Sequence, residues 1–329
     1  MVADGNSLSA ERDAPLEHVV LFTVADVPVR VESNSDLVTV AAATRHGAPF
    51  LGATAAAAAA PCRLQVRVRR GGMPSDDGVD VRWSFPSRDR ASVAASGLSA
   101  TLDLAAGVAV IDADESFVRS AALFQRTVLE GMLFTLLTRR DRHPVHSGAL
   151  CAGDVALLLR GSSGVGKSTL AYVAHRAGIG VLADDSVRVQ LEPELRVWGD
   201  GPTPRVHLLE DARDEFAELR DHAVSRPSSG GVRKLAVALP APAVEWSPFA
   251  RAARVCLLTR AGTVSVRNAT AREIFDTLMH SPEAELDLAP EQRDRVAAAL
   301  ASPGGWHLTL SNRASEAIPH LRDMLAQIR

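Results

Sequence analysis

The chain has 329 residues, 47% of them hydrophobic and 4% aromatic, with 36 Lys plus Arg against 39 Asp plus Glu. That length suits two domains, and the apolar fraction excludes wholesale disorder. The charge balance gives no basic stripe of the kind a duplex nucleic-acid binder carries, so no nucleic-acid partner is expected.

Residues 1–15 are polar and acidic and read as a disordered N-terminus, unlike the basic-then-apolar start of a secretory signal. The runs HVVLFTV, VPVRVES and LVTV between His18 and Val40 read as short strands, the first two separated by a turn at Ala25-Asp26. The alanine run Ala55–Ala60 ends at Pro61 and is too short to span a bilayer. Cys62, Cys151 and Cys256 lie far apart without CxxC spacing, which argues against a disulfide framework or a zinc knuckle. A cytoplasmic protein with no membrane partner is the expectation.

CRLQVRVRR at 62–70 alternates apolar and polar residues, the period of a half-buried strand. Residues 71–78 read as a loop and VDVRWSF as another strand. GLSATLDLAAGVAVIDAD reads as paired strands turning near Ala106-Gly107. Residues 16–112 therefore form a β-rich N-terminal region. From Glu115 the apolar spacing becomes helical, predicting a connecting helix within 113–142 that stops before Pro144. Arg139, Arg140 and Arg142 read as its solvated end.

Residues 143–329 read as an α/β domain. VALLLRG is a continuous apolar run, the mark of a buried parallel strand. Ser168–Ala177 is helical by pattern, Gly178 caps it, and IGVLADD is a second buried strand, completing a βαβ unit. RVCLLTR, TVSVRN and WHLTLS extend the sheet. AREIFDTLMH, PEQRDRVAAALAS and SEAIPHLRDMLAQI read as helices.

The segment Gly161-Ser162-Ser163-Gly164-Val165-Gly166-Lys167-Ser168-Thr169 fits G-x-x-x-x-G-K-[ST] and lies between an apolar strand and an amphipathic helix. Gly161, Gly164 and Gly166 let the backbone bend so that amide N–H groups face a phosphate. The helix beginning near Lys167 directs its positive end at the same anion. Lys167 supplies charge at the β/γ-phosphates, and Ser168 offers a hydroxyl to Mg²⁺.

Asp184 and Asp185 close the strand after that helix. This strand runs parallel to the one before the phosphate loop, so both end on one sheet edge, where ligands bind in open α/β folds. One carboxylate can take a proton from an acceptor hydroxyl while the other orients the metal or a loop. An Asp pair at a strand end also serves as a turn or cap. His146, in HPVHSGAL, returns toward the phosphate end if His146–Leu150 pairs with Val155–Leu159 in a hairpin. His143 reads as a loop residue.

His146-Ser-Gly, the strand, GSSGVGKST and LADDSV together resemble the catalytic domain of HPr kinase/phosphorylase and its HPr-kinase-like relatives. The resemblance is firm over about 143–190. It implies an α/β P-loop domain of HPr-kinase type, related to the ATP-type phosphoenolpyruvate carboxykinase fold, preceded by the smaller β-rich region. It implies ATP and Mg²⁺ as cofactors and a serine hydroxyl as acceptor. Asp184 would be the general base, Asp185 its support on the metal side, Lys167 and Ser168 the phosphate and Mg²⁺ ligands, and His146 a residue of the reacting end. The family's Glu-Ile-Arg-Gly segment has no counterpart in VWGDGPTPRVHLLED, where Asp200 or Glu210 would have to substitute. Ser228-Ser-Gly-Gly-Val-Arg-Lys234 before Leu239-Pro240 is similar to the lysine segment of relatives that phosphorylate peptides. There Arg233 and Lys234 would close over the phosphates, with Arg205 a further candidate. Three readings stand: a kinase acting on a protein, peptide or small-molecule alcohol; a nucleotide-gated binding protein; and, more weakly, a carboxykinase. A homo-oligomer is compatible with each.

Overall fold

The computed structural model describes residues 15–46, 60–71, 79–199, 204–221, 224–225, 233–239, 247–280 and 290–328. It divides into two compact units, Met1–Arg142 and His143–Arg329.

In the first unit, alternation builds a seven-stranded sheet. In chain order the strands are β1 (His18–Val24), β2 (Val27–Ser33), β3 (Cys62–Arg69), β4 (Arg82–Ser87), β5 (Arg90–Ala95), β6 (Leu98–Asp103) and β7 (Val108–Asp114). Their spatial order is β1-β2-β3-β7-β6-β5-β4. Val29 and Val31 of β2, Leu64 and Val66 of β3, and Ala109 and Ile111 of β7 point to one face and are fully buried, as a period of two requires. That face is covered by helices. Helix α1 (Asp36–His46) lies where LVTV was expected to be a strand. Val38 and Ala42, four residues apart, are both buried, so helical packing overrides the β-propensity of Val and Thr. Then follow α2 (Glu115–Arg119), α3 (Ala121–Phe124), a π-helical stretch Gln125–Met132, and α4 (Leu133–Thr138). Phe117, Phe124, Leu129, Leu133 and Leu136 from this run are fully buried. The strand Arg90–Ala95 went unread in the sequence because RASVAA is too small and mixed to signal one. Most of the expected loop at 71–78 lies outside the described residues.

The second unit centres on a six-stranded sheet. Its elements begin with β8 (His143–His146), β9 (Gly148–Ala152), β10 (Val155–Arg160), α5 (Lys167–Arg176), β11 (Gly180–Ala183), β12 (Ser186–Gln190), β13 (Arg196–Trp198) and β14 (Arg205–Leu209). They continue with α6 (Ala212–Glu215), β15 (Val224–Ser225), β16 (Lys234–Ala238), β17 (Phe249–Ala250), β18 (Ala252–Arg260), β19 (Ser265–Ala269), α7 (Ala271–Met279), α8 (Pro290–Ala301), β20 (Gly305–Leu310) and α9 (Ile318–Ala326). The central order is β11-β9-β10-β18-β20-β19, with β10, β18 and β20 parallel. A second sheet runs β17-β13-β12-β8 and a third β14-β16-β15.

Strand β10 explains the layering. Leu157 and Leu159 point into one cluster with Leu170, Ala171 and Ala174 of α5 and Leu321 and Met324 of α9. Ala156 and Leu158 point into the opposite cluster, with Ile274 and Leu278 of α7, Leu300 of α8, and Val187 and Val189 of β12. A strand apolar on both faces is the signature of a sheet covered on both sides. Helix α7 opens with a capping box, Thr270 accepting from the Glu273 amide and Glu273 from the Thr270 amide, a device worth roughly 1 kcal/mol.

Three expectations in this unit need correction. His143, expected in a loop, is buried at the start of strand β8, paired with Val189. The hairpin does not include His146: it pairs Gly148–Ala152 with Val155–Leu159, and His146 ends the separate strand β8 in the second sheet, opposite Ser186. The strand expected to carry the aspartates stops at Ala183, so Asp184 and Asp185 occupy the bend that leads into β12. β11 does run in the same sense as β10, but β9 lies between them, antiparallel to both.

Candidate active site

The loop after β10 turns through positive φ at Gly164 (79°) and Gly166 (110°), conformations open to glycine at little cost. Val165 between them is buried in the core beside α5 and anchors the loop's crest. Gly166 caps the helix, its carbonyl accepting from the Leu170 amide at 2.8 Å. The first amides of α5 have no partners within the helix, and that end is where an anion is stabilised.

Lys167 is buried and bends back over the loop, donating to the carbonyls of Gly161 at 2.8 Å and Ser162 at 3.3 Å. Burial pushes its ammonium below the ordinary lysine range. Asp185 and Asp184 oppose that shift, while Arg160 and Lys234 add to it. Each of these four charges thus acts on Lys167. A bound phosphate would replace the solvation that Lys167 has lost.

The two aspartates have different surroundings. Asp184 is 4% exposed. Its Oδ2 accepts from the His207 backbone amide at 2.8 Å, with His207 Nδ1 at 3.5 Å from the same oxygen. Its Oδ1 is buried and, among the described residues, has no hydrogen-bond partner. Asp185 is open to solvent, 67% exposed, and its Oδ1 stands 3.5 Å from Nδ1 of His146. Each carboxylate thus faces a histidine, one on β14 and one on β8.

Glycine and arginine hold this arrangement. A Cβ at Gly148 would stand 2.8 Å from the Asp184 carbonyl oxygen, so only glycine lets the hairpin approach the aspartate bend so closely. Ser147 Oγ lies 2.8 Å from the Gly148 carbonyl and 3.0 Å from the Leu159 carbonyl, its single proton shared between them, clipping the hairpin shut. Arg160, buried at the end of β10, donates to the His146 carbonyl and fixes the end of β8 beside the phosphate loop.

The remaining expected site residues are placed as follows. Ser162 and Ser163 are exposed on the loop, and Ser168 and Thr169 are half-buried in the first turn of α5. Lys234 begins strand β16 rather than riding on a loop, pairing with Leu209, and acts electrostatically on Lys167. Arg233 precedes it, exposed, 3.7 Å from the Glu210 carboxylate. The Ser228–Val232 part of the expected glycine-rich loop and Asp200 lie outside the described residues. His207, Arg160 and Arg260 were not singled out in the sequence. The strand alternation of β14, with Val206 and Leu208 buried and His207 between them, was the one available signal for His207.

Mg²⁺ is usually held by one or two carboxylates together with substrate phosphates and waters. Among the described residues no cluster of three or more His, Cys, Asp or Glu side chains forms a metal cage. The half-buried Ser168 hydroxyl and the solvent-open Asp185 carboxylate fit a cation that arrives with a nucleotide rather than a resident ion. Among the described residues no helix is long and apolar enough to cross a membrane.

Comparison with known proteins follows the same lines. No protein-family model matches the chain. HPr kinase/phosphorylase of Listeria welshimeri is 43% identical over 56 residues, 17% of this chain and 18% of that protein. The Streptococcus sanguinis HPr kinase/phosphorylase is 31% identical over 97 residues, 29% of this chain and 30% of that one. The matched stretch thus spans less than a third of each of these relatives. The structure of the Hpr(Ser) kinase/phosphatase from Coxiella burnetii aligns with a TM-score of 0.29 and 11% identity, over 56% of this chain and 89% of that chain. Over the matched stretch, the chain is HPr-kinase-like.

Proposed function

We propose that residues 143–329 bind ATP with Mg²⁺ and transfer its γ-phosphoryl group to a serine or threonine hydroxyl of a protein or peptide. One observation carries this reading: the loop with Lys167 leaves the end of β10 and the Asp184–Asp185 bend leaves the end of β11, two strands that run in the same sense on either side of β9, so both lie at one edge of the sheet. Loop amides, the α5 N-terminus and Lys167 hold the phosphate chain. Mg²⁺, held by Ser168 with Asp185 on its carboxylate side, would offset phosphate charge. Asp184, fixed through Oδ2 by the His207 amide, keeps Oδ1 available for the acceptor's proton. His146, beside Asp185, lines the acceptor side. Lys234, from the strand next to β14, adds charge opposite the transferring group. Little covalent chemistry falls to the protein in such a transfer; positioning and charge neutralisation supply the rate.

The HPr-kinase likeness supports a protein acceptor, since those relatives are named for the protein they modify. A small-molecule alcohol is the variant within the same chemistry. A second reading, nucleotide-gated binding without transfer, is favoured by the burial of Asp184 and the engagement of its Oδ2. Incubation with γ-labelled ATP, Mg²⁺ and a library of Ser/Thr peptides and alcohols, read by mass spectrometry with Lys167→Ala as blank, separates the two. A phosphorylated acceptor absent from the blank supports transfer. Tight nucleotide binding with no acceptor labelled supports the gated binder.

A further inference from the structure

We propose that Arg260, on the strand next to the phosphate loop, is a nucleotide-phosphate ligand of this site. The inference rests on the reading of residues 161–169 as a nucleotide site and adds a residue from a different strand.

The placement follows from sheet register. β18 runs parallel to β10, with Leu257 opposite Arg160, the last residue before the loop. Arg260 is three residues further along, at the same carboxyl edge. Its backbone is not loose: the ladder to β20 continues through Arg260, opposite Leu310, and the Ala261 amide donates to the Leu310 carbonyl at 2.9 Å. Successive strand residues alternate faces, so Arg260 shares a face with Leu258. Leu258 packs in the cluster with Leu170 and Ala171 of α5 and lies against Gly161. Two residues on, the Arg260 side chain emerges on the α5 side, above the end of that core.

There it meets the loop. A Cβ placed on Gly166 would be 2.8 Å from Arg260 Nη2 and 3.9 Å from its Cζ, so the guanidinium lies against the glycine that caps α5. Arg260 is exposed. Among the described residues it has no carboxylate or carbonyl partner, unlike Arg160, Arg196 or Arg251. A cation held by a rigid strand against the amide end of a helix is repelled by that end. An anion between them reverses the sign of the interaction. Guanidinium forks match phosphate oxygens in pairs, which makes a phosphate group the fitting anion. The loop amides beside Gly166 cradle the α/β part of the chain, so Arg260 is placed to contact ADP as well as ATP.

Isothermal titration of the full-length protein with MgATP and MgADP tests this, using wild type, Arg260→Ala and Arg260→Lys. Arg260→Ala should weaken both nucleotides about tenfold or more, with Arg260→Lys recovering part of the loss and the melting temperature unchanged. Affinity within twofold of wild type for Arg260→Ala overturns the assignment, as does a loss matched by a lowered melting temperature and not relieved by lysine. If wild type itself binds neither nucleotide, the nucleotide-site reading fails, and this inference with it.

Discussion

Gly148→Ala tests whether the aspartate bend is held in place by the hairpin. In the structure an added Cβ would stand 2.8 Å from the Asp184 carbonyl oxygen and 3.6 Å from Leu159 Cβ. Ordinary contact needs about 3.4 Å, so the bend or the hairpin must shift by roughly half an ångström. Overpacking of this kind costs about 1–3 kcal/mol, which denaturant unfolding will read directly. The catalytic consequence should be larger than the stability loss implies. Because a displacement near 1 Å can cost about a hundredfold in rate, half that distance at Asp184 predicts a loss of about tenfold in kcat. The control is Gly180→Ala at the far end of the same strand pair, where the new Cβ would meet Cys151 Sγ at 2.6 Å and its carbonyl oxygen at 2.9 Å. It should destabilise comparably and leave kcat near wild type. Equal kcat losses in the two variants, or full activity in Gly148→Ala, would refute the claim that Gly148 positions the aspartate.

Two further outcomes follow from the titrating groups. Lys167 is depressed by burial, so its charge is lost at a lower pH than an ordinary lysine's. MgADP affinity should therefore fall as pH rises through that depressed pKa, at a lower pH than an ordinary lysine would give, and the fall should vanish in Lys167→Met. In the first unit, burial holds His46 down to about 4, its ring stacked on Phe22 and its Nε2 3.2 Å from the Leu129 carbonyl. The unfolded chain binds the proton first, so stability is full above pH 6.5 and is lost as pH falls from there toward 4. The loss is at most roughly 3 kcal/mol. Urea unfolding of wild type and His46→Phe should show their difference shrinking or reversing over that window, and a constant difference would contradict the assignment.

The strand, glycine turn and helix around residues 161–169 were legible because their signals are local. Glycines at 161, 164 and 166, the apolar run before them and the helical spacing after them lie within about twenty residues. The aspartate pair was legible for the same reason, though as the end of a strand rather than a bend, and only the family resemblance told its two members apart. Their difference arises from β14, which brings the His207 amide to Asp184 from 23 residues away and leaves Asp185 to His146. Arg160 and Arg260 were invisible as site residues because each reads as an ordinary strand end; only the register of β10 and β18 sets them at the loop. The helix at Asp36–His46 was misread because β-branched Val and Thr mimic a strand over four residues. The separate strand β8 was misread because a hairpin seemed the shortest route from His146 to Leu159.

The account turns on whether the fixed, unpartnered oxygen of Asp184 takes a proton from an acceptor alcohol. Titration of Asp184→Asn with MgATP, alongside a single-turnover transfer assay on an acceptor found with the wild type, measures this directly. Nucleotide affinity within about threefold of wild type with transfer down about a thousandfold is the expected result. Transfer undiminished in Asp184→Asn, or lost instead only in Asp185→Asn, would contradict it.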